Sequence, residues 1–297
     1  MNEPIRHHYV PVFYLRKWTG PDGRLFRYHR PHQVTVVSRL RPEHTGFEEQ
    51  LYSLSGSNNE QMIETDFFSP VDNAAAPILE RLISHGPGEL DSQARSHWTR
   101  FIMSLQLRSP QSLAEVKEFS DQNIRETIER QNGEEYFATR QPGDPESAYE
   151  YALQHSSRQL ANAHKAFLPG LIDHEIIGRV IINMRWAVLN LTAARRTLVT
   201  GDRPYTTSHG LADRSCLLSV PLSPNHLFVA ANDIDLLRAV VAQRADDTVA
   251  NSNNLMVRLA VQNVYSNTDG HLAFVDNRLR RVGDRPIPGI ITRGEPI

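Results

Sequence analysis

Two adjacent imidazoles open the most unusual stretch of this chain, His7-His8-Tyr9-Val10-Pro11-Val12-Phe13-Tyr14-Leu15-Arg16-Lys17-Trp18. An imidazole can exchange a proton near neutral pH or ligate a divalent metal. A histidine joined by two or three carboxylates is a common oxygen/nitrogen set for either task. The first residues of most domains are polar and loosely held, so a terminus this rich in aromatic and β-branched residues is expected to be built into the fold. The two histidines then belong at the edge of a packed core. His8 is the functional expectation, against a plain alternative of a buried, hydrogen-bonded histidine, and His7 is expected at the surface.

Other chemistry-bearing patterns are missing or misplaced. The sequence has no HExxH, GxSxG, Walker loop or GxGxxG, which removes the main support for zincin, α/β-hydrolase, P-loop and Rossmann readings. Glu115-Val116-Lys117 imitates the Glu-x-Lys of a nuclease core but falls in a predicted helix, and His155, His164 and His174-Glu175 lack metal-ligand spacing. The 297 residues are 40% hydrophobic and 22% charged, as in ordinary globular proteins, and a formal net charge of -2 gives no global attraction to nucleic acid or anionic lipid. Only three of the 32 basic residues are lysines, a bias toward arginine that favours bidentate recognition of carboxylate or phosphate but also follows from a GC-rich genome. Cys216 is the sole cysteine, which excludes an intramolecular disulfide and a cysteine-rich zinc site. No apolar run is long enough to span a membrane, so a cytoplasmic protein with no membrane partner is expected.

The elements that must position such residues read as α+β: a central helical region flanked by short antiparallel strands from the N- and C-terminal thirds, able to share one sheet. One domain is expected over 1–297, strand-rich at 1–58, helical at 59–185 and mixed at 186–297. Phe13 to Trp18 and Arg24 to His29, around Gly20-Pro21-Asp22-Gly23, have the pattern of a hairpin, with a third strand at Gln33 to Val37. Ser69-Pro70, Ser109-Pro110 and Asp144-Pro145 look like helix starts. The polar stretch from Gln131 to Ser147 reads as a loop, with helices from Ser147 to Lys165 and Asp173 to Arg185. Strands are expected at Trp186–Leu191, Arg196–Thr200, Cys216–Val220, Leu227–Ala230 and Leu272–Val275. Helices are expected near Asp233–Gln243 and Asn254–Tyr265.

His8-Tyr9-Val10-Pro11-Val12-Phe13-Tyr14-Leu15-Arg16 resembles the opening His-Tyr-Val-Pro-x-Phe-x-Leu-Arg of a bacterial domain-of-unknown-function family, family 4238. Later segments resemble it in order: Phe47 to Tyr52 with Ile63-Glu64, Gln106-x-Arg108-x-Pro110, Thr200-Gly201-Asp202-Arg203-Pro204, Pro221-Leu222-Ser223-Pro224, and Asn253-Asn254 with Tyr265. Gly201, Arg203 and Asp72 depart from the serine, asparagine and glutamate common there. The resemblance implies a site of His8, Glu64, Arg108 and Asp202 in catalysis, Gln106, Arg108 and Tyr9 on substrate, and His8, Glu64 and Asp72 as ligands if a divalent metal is used.

The family is functionally uncharacterised, so the reaction must come from residue types. These fit a metal- or acid/base-dependent hydrolase, phosphodiesterase or nuclease-like, with Arg108 holding the phosphate of a small-molecule or nucleic-acid substrate. The alternative is a non-catalytic binding or interaction protein whose polar cluster is structural. Each residue has a plain role there: Asp72 and Glu64 as helix-start acids, Arg108 as a helix C-terminal cation, Asp202 bonding its own turn. Convergence of His8, Glu64, Arg108 and Asp202 in one pocket is the geometric condition for the site.

Overall fold

Strands from both ends of the chain meet in one sheet, as the sequence pattern implies. The computed structural model describes residues 5–280. In the N-terminal part, β1 (Arg6–His8) leads to a short helix, α1 (Val12–Leu15), and a 3-10 turn at Arg16–Trp18. The hairpin β2 (Leu25–His29) and β3 (Val36–Leu40) and the short β4 (Phe47–Glu49) follow. The helical middle comprises a π-helical turn at Ile63–Phe68, α2 (Ser69–His85), α3 (Ser92–Leu107), α4 (Pro110–Thr139), α5 (Ala148–Ala166), α6 (Leu168–Ile172) and α7 (Glu175–Asn183). Then come β5 (Arg185–Asn190), β6 (Thr200–Gly201), β7 (Thr206–Thr207), β8 (Leu217–Ser223), β9 (His226–Ala231), α8 (Ile234–Val241), α9 (Ala245–Leu259), β10 (Asn263–Ser266) and α10 (Leu272–Asp276).

The mixed sheet has the order β3-β2-β10-β6, so the N-terminal hairpin pairs with C-terminal strands through Tyr28 opposite Val264. A second sheet, β5-β9-β8-β7, is entirely C-terminal, and β1 pairs with β4 in a separate two-stranded ribbon. Every described strand pair is antiparallel. α2 buries Val71, Ala75, Ile78, Leu79 and Leu82, the three- and four-residue spacing of one helix face, and α3 meets it with Trp98, Phe101 and Leu105. Trp98 stands edge-on to Phe228 of β9 at 5.9 Å, which joins helices to sheet.

The N-terminal segment is indeed built in, but as helix rather than strand. Tyr14, Leu15 and Trp18 are all fully buried, and the four-residue step from Tyr14 to Trp18 is helical spacing. The Tyr14 hydroxyl donates to Pro221 O at 2.6 Å and lies 2.7 Å from Thr200 Oγ1, which fixes α1 to strands two hundred residues away. The aromatic content that suggests a strand at 13–18 is a packing preference, and the two-faced core here is better met by a helix. The Gly20–Gly23 turn exists, but it links that helix to β2, whose partner is β3.

Further departures have similar local causes. The expected loop at 131–139 is the last part of α4, held by α5 through Tyr136 against Tyr151 and through Tyr149 N–H donating to Glu129. The last helix before the terminal strand ends at Leu259, residues 263–266 being β10, and 272–276 is helix rather than strand. Only Thr200 of the expected 196–200 strand is in β structure. Ser109 caps α4 by accepting from Ser112 N–H at 3.1 Å, whereas Ser69 caps nothing because the π-helical turn already runs into it. Ser147, not Asp144, caps α5.

Candidate functional site

Glu64 lies in the π-helical turn Ile63–Phe68, an uncommon backbone form that is concentrated at functional sites. Asp72 is about two turns further on, in the first turn of α2. Arg108 is the C-terminal cap residue of α3, its own N–H donating to Ser104 O at 3.0 Å. Two segments distant in sequence, the continuous helical stretch from Ile63 into α2 and the end of α3, therefore deliver two carboxyls and one guanidinium to a single place.

The Arg108 side chain is 0% exposed, and its Nη1 donates to Asp72 Oδ1 at 3.0 Å. The guanidinium stacks over the Phe68 ring at 4.5 Å, and the Tyr52 hydroxyl donates to the Arg108 carbonyl. Its Nε and Nη2 are buried without a hydrogen-bond partner among the described residues. Glu64 Oε2 is in the same condition. Burial pushes the Glu64 carboxyl up to about 7, with the Arg108 charge opposing and the Asp72 charge adding to the rise. Burial likewise raises Asp72, against the pull of Arg108. Asp72 keeps 24% of its side chain exposed, so the group lies beneath the surface with Asp72 toward solvent.

His8 joins this group electrostatically. Its ring tilts against Phe47 at 5.3 Å, and its Nε2 is buried without a partner. Burial lowers its pKa, opposed by a hydrogen bond to the Glu43 backbone and by the Glu43 charge, while the Arg6 and Arg108 charges add smaller pushes downward. The imidazole is therefore neutral at neutral pH.

His7 is the surprise of the pair: it is fully buried, not at the surface. In an extended segment alternate residues share a face, so His7 goes inward with Tyr9. Tyr52 N–H donates to His7 Nδ1 at 2.9 Å, so the ring proton is on Nε2 and is donated to Gln61 Oε1 at 2.6 Å. Gln61 Nε2 passes the chain to Ser53 Oγ at 3.1 Å, and the imidazole stacks on Tyr52 at 5.5 Å. Phe68 and Gln61 thus support the site without any motif that marks them, and Tyr52 is marked only as the end of the resembling segment Phe47 to Tyr52. The one available signal is the alternation of His7 with Tyr9.

Asp202 does not join Glu64 and Arg108 by any direct contact. The full convergence of His8, Glu64, Arg108 and Asp202 expected from the sequence is therefore not met, because the Asp202 carboxylate is held by backbone N–H groups elsewhere. Its Oδ1 accepts from Val261 N–H at 2.8 Å, and its Oδ2 accepts from Gln262 and Asn263 at 2.6 and 2.8 Å. Burial raises its pKa, and the three N–H groups oppose that rise by favouring the charge. Together with Tyr9, Glu48, Ser109, Gln111 and Gln262 it lines a separate cavity of about 240 Å³ immediately beyond Arg108 in sequence. Tyr9 is buried there, its phenol pushed far up by burial and by the Asp202 charge. Gln106 is half-buried on α3 and makes no side-chain hydrogen bond among the described residues.

Among the described residues no three His, Cys, Asp or Glu side chains converge as a metal-holding group. His8, Glu64 and Asp72, the ligand set the resemblance implies, are not gathered as such a group: Asp72 is paired with Arg108, and His8 lies against Phe47. Among those residues, too, no helix is long and apolar enough to cross a membrane. No curated protein and no solved structure matches the chain. A family's sequence profile does match, over residues 6–270, a span that includes every site residue above. The chain belongs to that family, described as Protein of unknown function (DUF4238).

Proposed function

We propose that the Glu64–Asp72–Arg108 group with His8 is an acid/base site for an anionic substrate, the hydrolysis of a phosphate ester being the reaction class it fits best. The supporting observation is a fully buried arginine with Nε and Nη2 unpartnered, in the electrostatic field of a carboxyl titrating near 7. A general base works best when its pKa lies close to the working pH, and a guanidinium fork matches phosphate or carboxylate oxygens. Glu64 takes a proton of the attacking water as its oxygen bonds phosphorus, the ester P–O bond breaks and the leaving oxygen takes that proton back from Glu64, while Arg108 holds the anion and Asp72 keeps the guanidinium in place. His8, neutral and with Nε2 unpartnered, supplies a hydrogen bond to the substrate in this reading.

The structural alternative rests on a different observation: the Arg108–Asp72 pair and the Tyr52–Arg108 bond also tie α2, α3 and the segment after β4 together. One experiment separates the two. Inorganic phosphate is titrated against the wild type and Arg108→Met by thermal shift, and the hydrolysis of a chromogenic phosphodiester and a phosphomonoester is followed in the wild type and Glu64→Gln. The proposal expects a phosphate-dependent rise in melting temperature that Arg108→Met loses, and a turnover that Glu64→Gln loses while keeping its phosphate response. A wild type with neither phosphate stabilisation nor turnover favours the structural reading.

A further inference from the structure

A second cavity, of about 550 Å³, lies between the N-terminal half of α9 and the segment that precedes β6, and its lining includes Arg195, Arg196, Asp246, Asp247, His271 and Phe274. Its volume is that of a small-molecule pocket. None of the residues placed in the Glu64–Arg108 group lines it.

The wall is rigidly built. Asn253 of α9 donates from Nδ2 to Thr197 O at 2.9 Å and accepts Val199 N–H at 2.8 Å on Oδ1, so the strap over the cavity is held at two points. Arg195 is committed, its N–H and Nε both donating to Asp246 at 2.9 and 3.0 Å. Arg196 makes no ion pair among the described residues, and its positive charge reaches His271.

His271 is only 4% exposed, with Nε2 3.2 Å from Thr197 Oγ1. The Thr197 hydroxyl donates to Asn267 Oδ1 at 3.3 Å, so it accepts the His271 Nε2 proton, and Nδ1 keeps its lone pair. Burial, and after it the Arg196 charge, hold the imidazole below its ordinary range and therefore neutral. One cavity thus offers an uncommitted cation and the neutral Nδ1 acceptor of an imidazole that is only 4% exposed, with the Asp247 carboxylate as a second acceptor.

We propose that this cavity is a second ligand site, for a small hydroxylated anion. The phosphate or carboxylate sits on Arg196, and hydroxyl groups donate to His271 Nδ1 and Asp247. A bare anion satisfies only the arginine, and a neutral polyol satisfies only the acceptors.

Ribose 5-phosphate and gluconate, which present the two anionic groups on a hydroxylated chain, are titrated by calorimetry and thermal shift, with ribose and inorganic phosphate as partial probes. Arg108→Met serves as the background that silences the other anion site. On that background at least one of the two hydroxylated anions is expected to bind, about tenfold or more tighter than ribose or phosphate, and which one binds tells phosphate from carboxylate. Arg196→Gln, a change at an exposed residue that leaves the unliganded melt unmoved, is expected to abolish that binding, and Asp247→Asn to weaken it. No binding by either anion, or binding that Arg196→Gln leaves intact, overturns the proposal.

Discussion

Asp202 and Glu64 are two carboxyls removed from water by the same fold, and burial raises both, yet their surroundings differ in kind. Asp202 receives three backbone N–H groups from the chain that leaves α9 for β10, and so fixes the loop 261–263 against the mixed sheet. Glu64 receives none at Oε2, and its neighbour Arg108 gives its one described side-chain hydrogen bond to Asp72. A buried charge with donors is a structural tie. A buried carboxyl without them carries a proton into the neutral range and keeps its hydrogen-bonding capacity for something else. Residue type alone would rank the two alike. The hydrogen-bond accounting separates them.

The largest effect expected from breaking this contrast is at the tie. Asp202→Ala leaves three backbone donors near the protein interior without an acceptor, and a loss of about 3–5 kcal/mol is expected in denaturant unfolding. A loss below about 1 kcal/mol would mean that the loop 261–263 does not depend on it.

Glu64→Gln is expected to act through pH. The folded protein binds the Glu64 proton with a pKa of about 7 against 4.5 for the ordinary carboxyl. Its contribution to stability is therefore present in full below the unfolded value and is lost as the pH rises through the folded one, by roughly 3 kcal/mol in all. The wild type should lose stability between about pH 4 and pH 8, and Glu64→Gln should flatten that slope, as read from melts across the range. Parallel slopes for the two proteins would show Glu64 to be an ordinary surface acid.

The adjacent histidines sharpen the contrast on a smaller scale. His7→Ala strands Tyr52 N–H and Gln61 and opens a cavity, with about 2 kcal/mol of destabilisation expected. His8→Ala removes a ring that bonds the Glu43 backbone but makes no bond through Nε2, and about 1 kcal/mol is expected. Equal losses at the two positions would remove the distinction between the imidazole bonded through both nitrogens and the one bonded through a single nitrogen.

The sequence shows part of this arrangement and hides the rest for identifiable reasons. Strands at both ends with helices between them led correctly to α+β and to a shared sheet, because short alternating runs carry their own period. The segment 13–18 misled because aromatic residues favour strands only where a pleated surface receives them, and Tyr14 and Trp18 pack here as helix neighbours. Glu64, Asp72 and Arg108 stand out by resemblance, not by spacing, since no local rule links a π-helical turn to the end of a helix some forty residues later. Their pairing, and the support of Tyr52 and Phe68 beneath them, exist only in the folded chain. The His7 and His8 roles were legible in principle: alternation along β1 places position 7 with the buried Tyr9 and position 8 on the other face.

The central claim is that Glu64 holds a proton into the neutral range beside an incompletely paired arginine. Carbon-13 NMR titration of the glutamate side-chain carboxyls, with Glu64→Gln identifying the resonance, tests it directly. The expected midpoint for Glu64 is about 7. A midpoint at the ordinary glutamate value of 4.5 would contradict it.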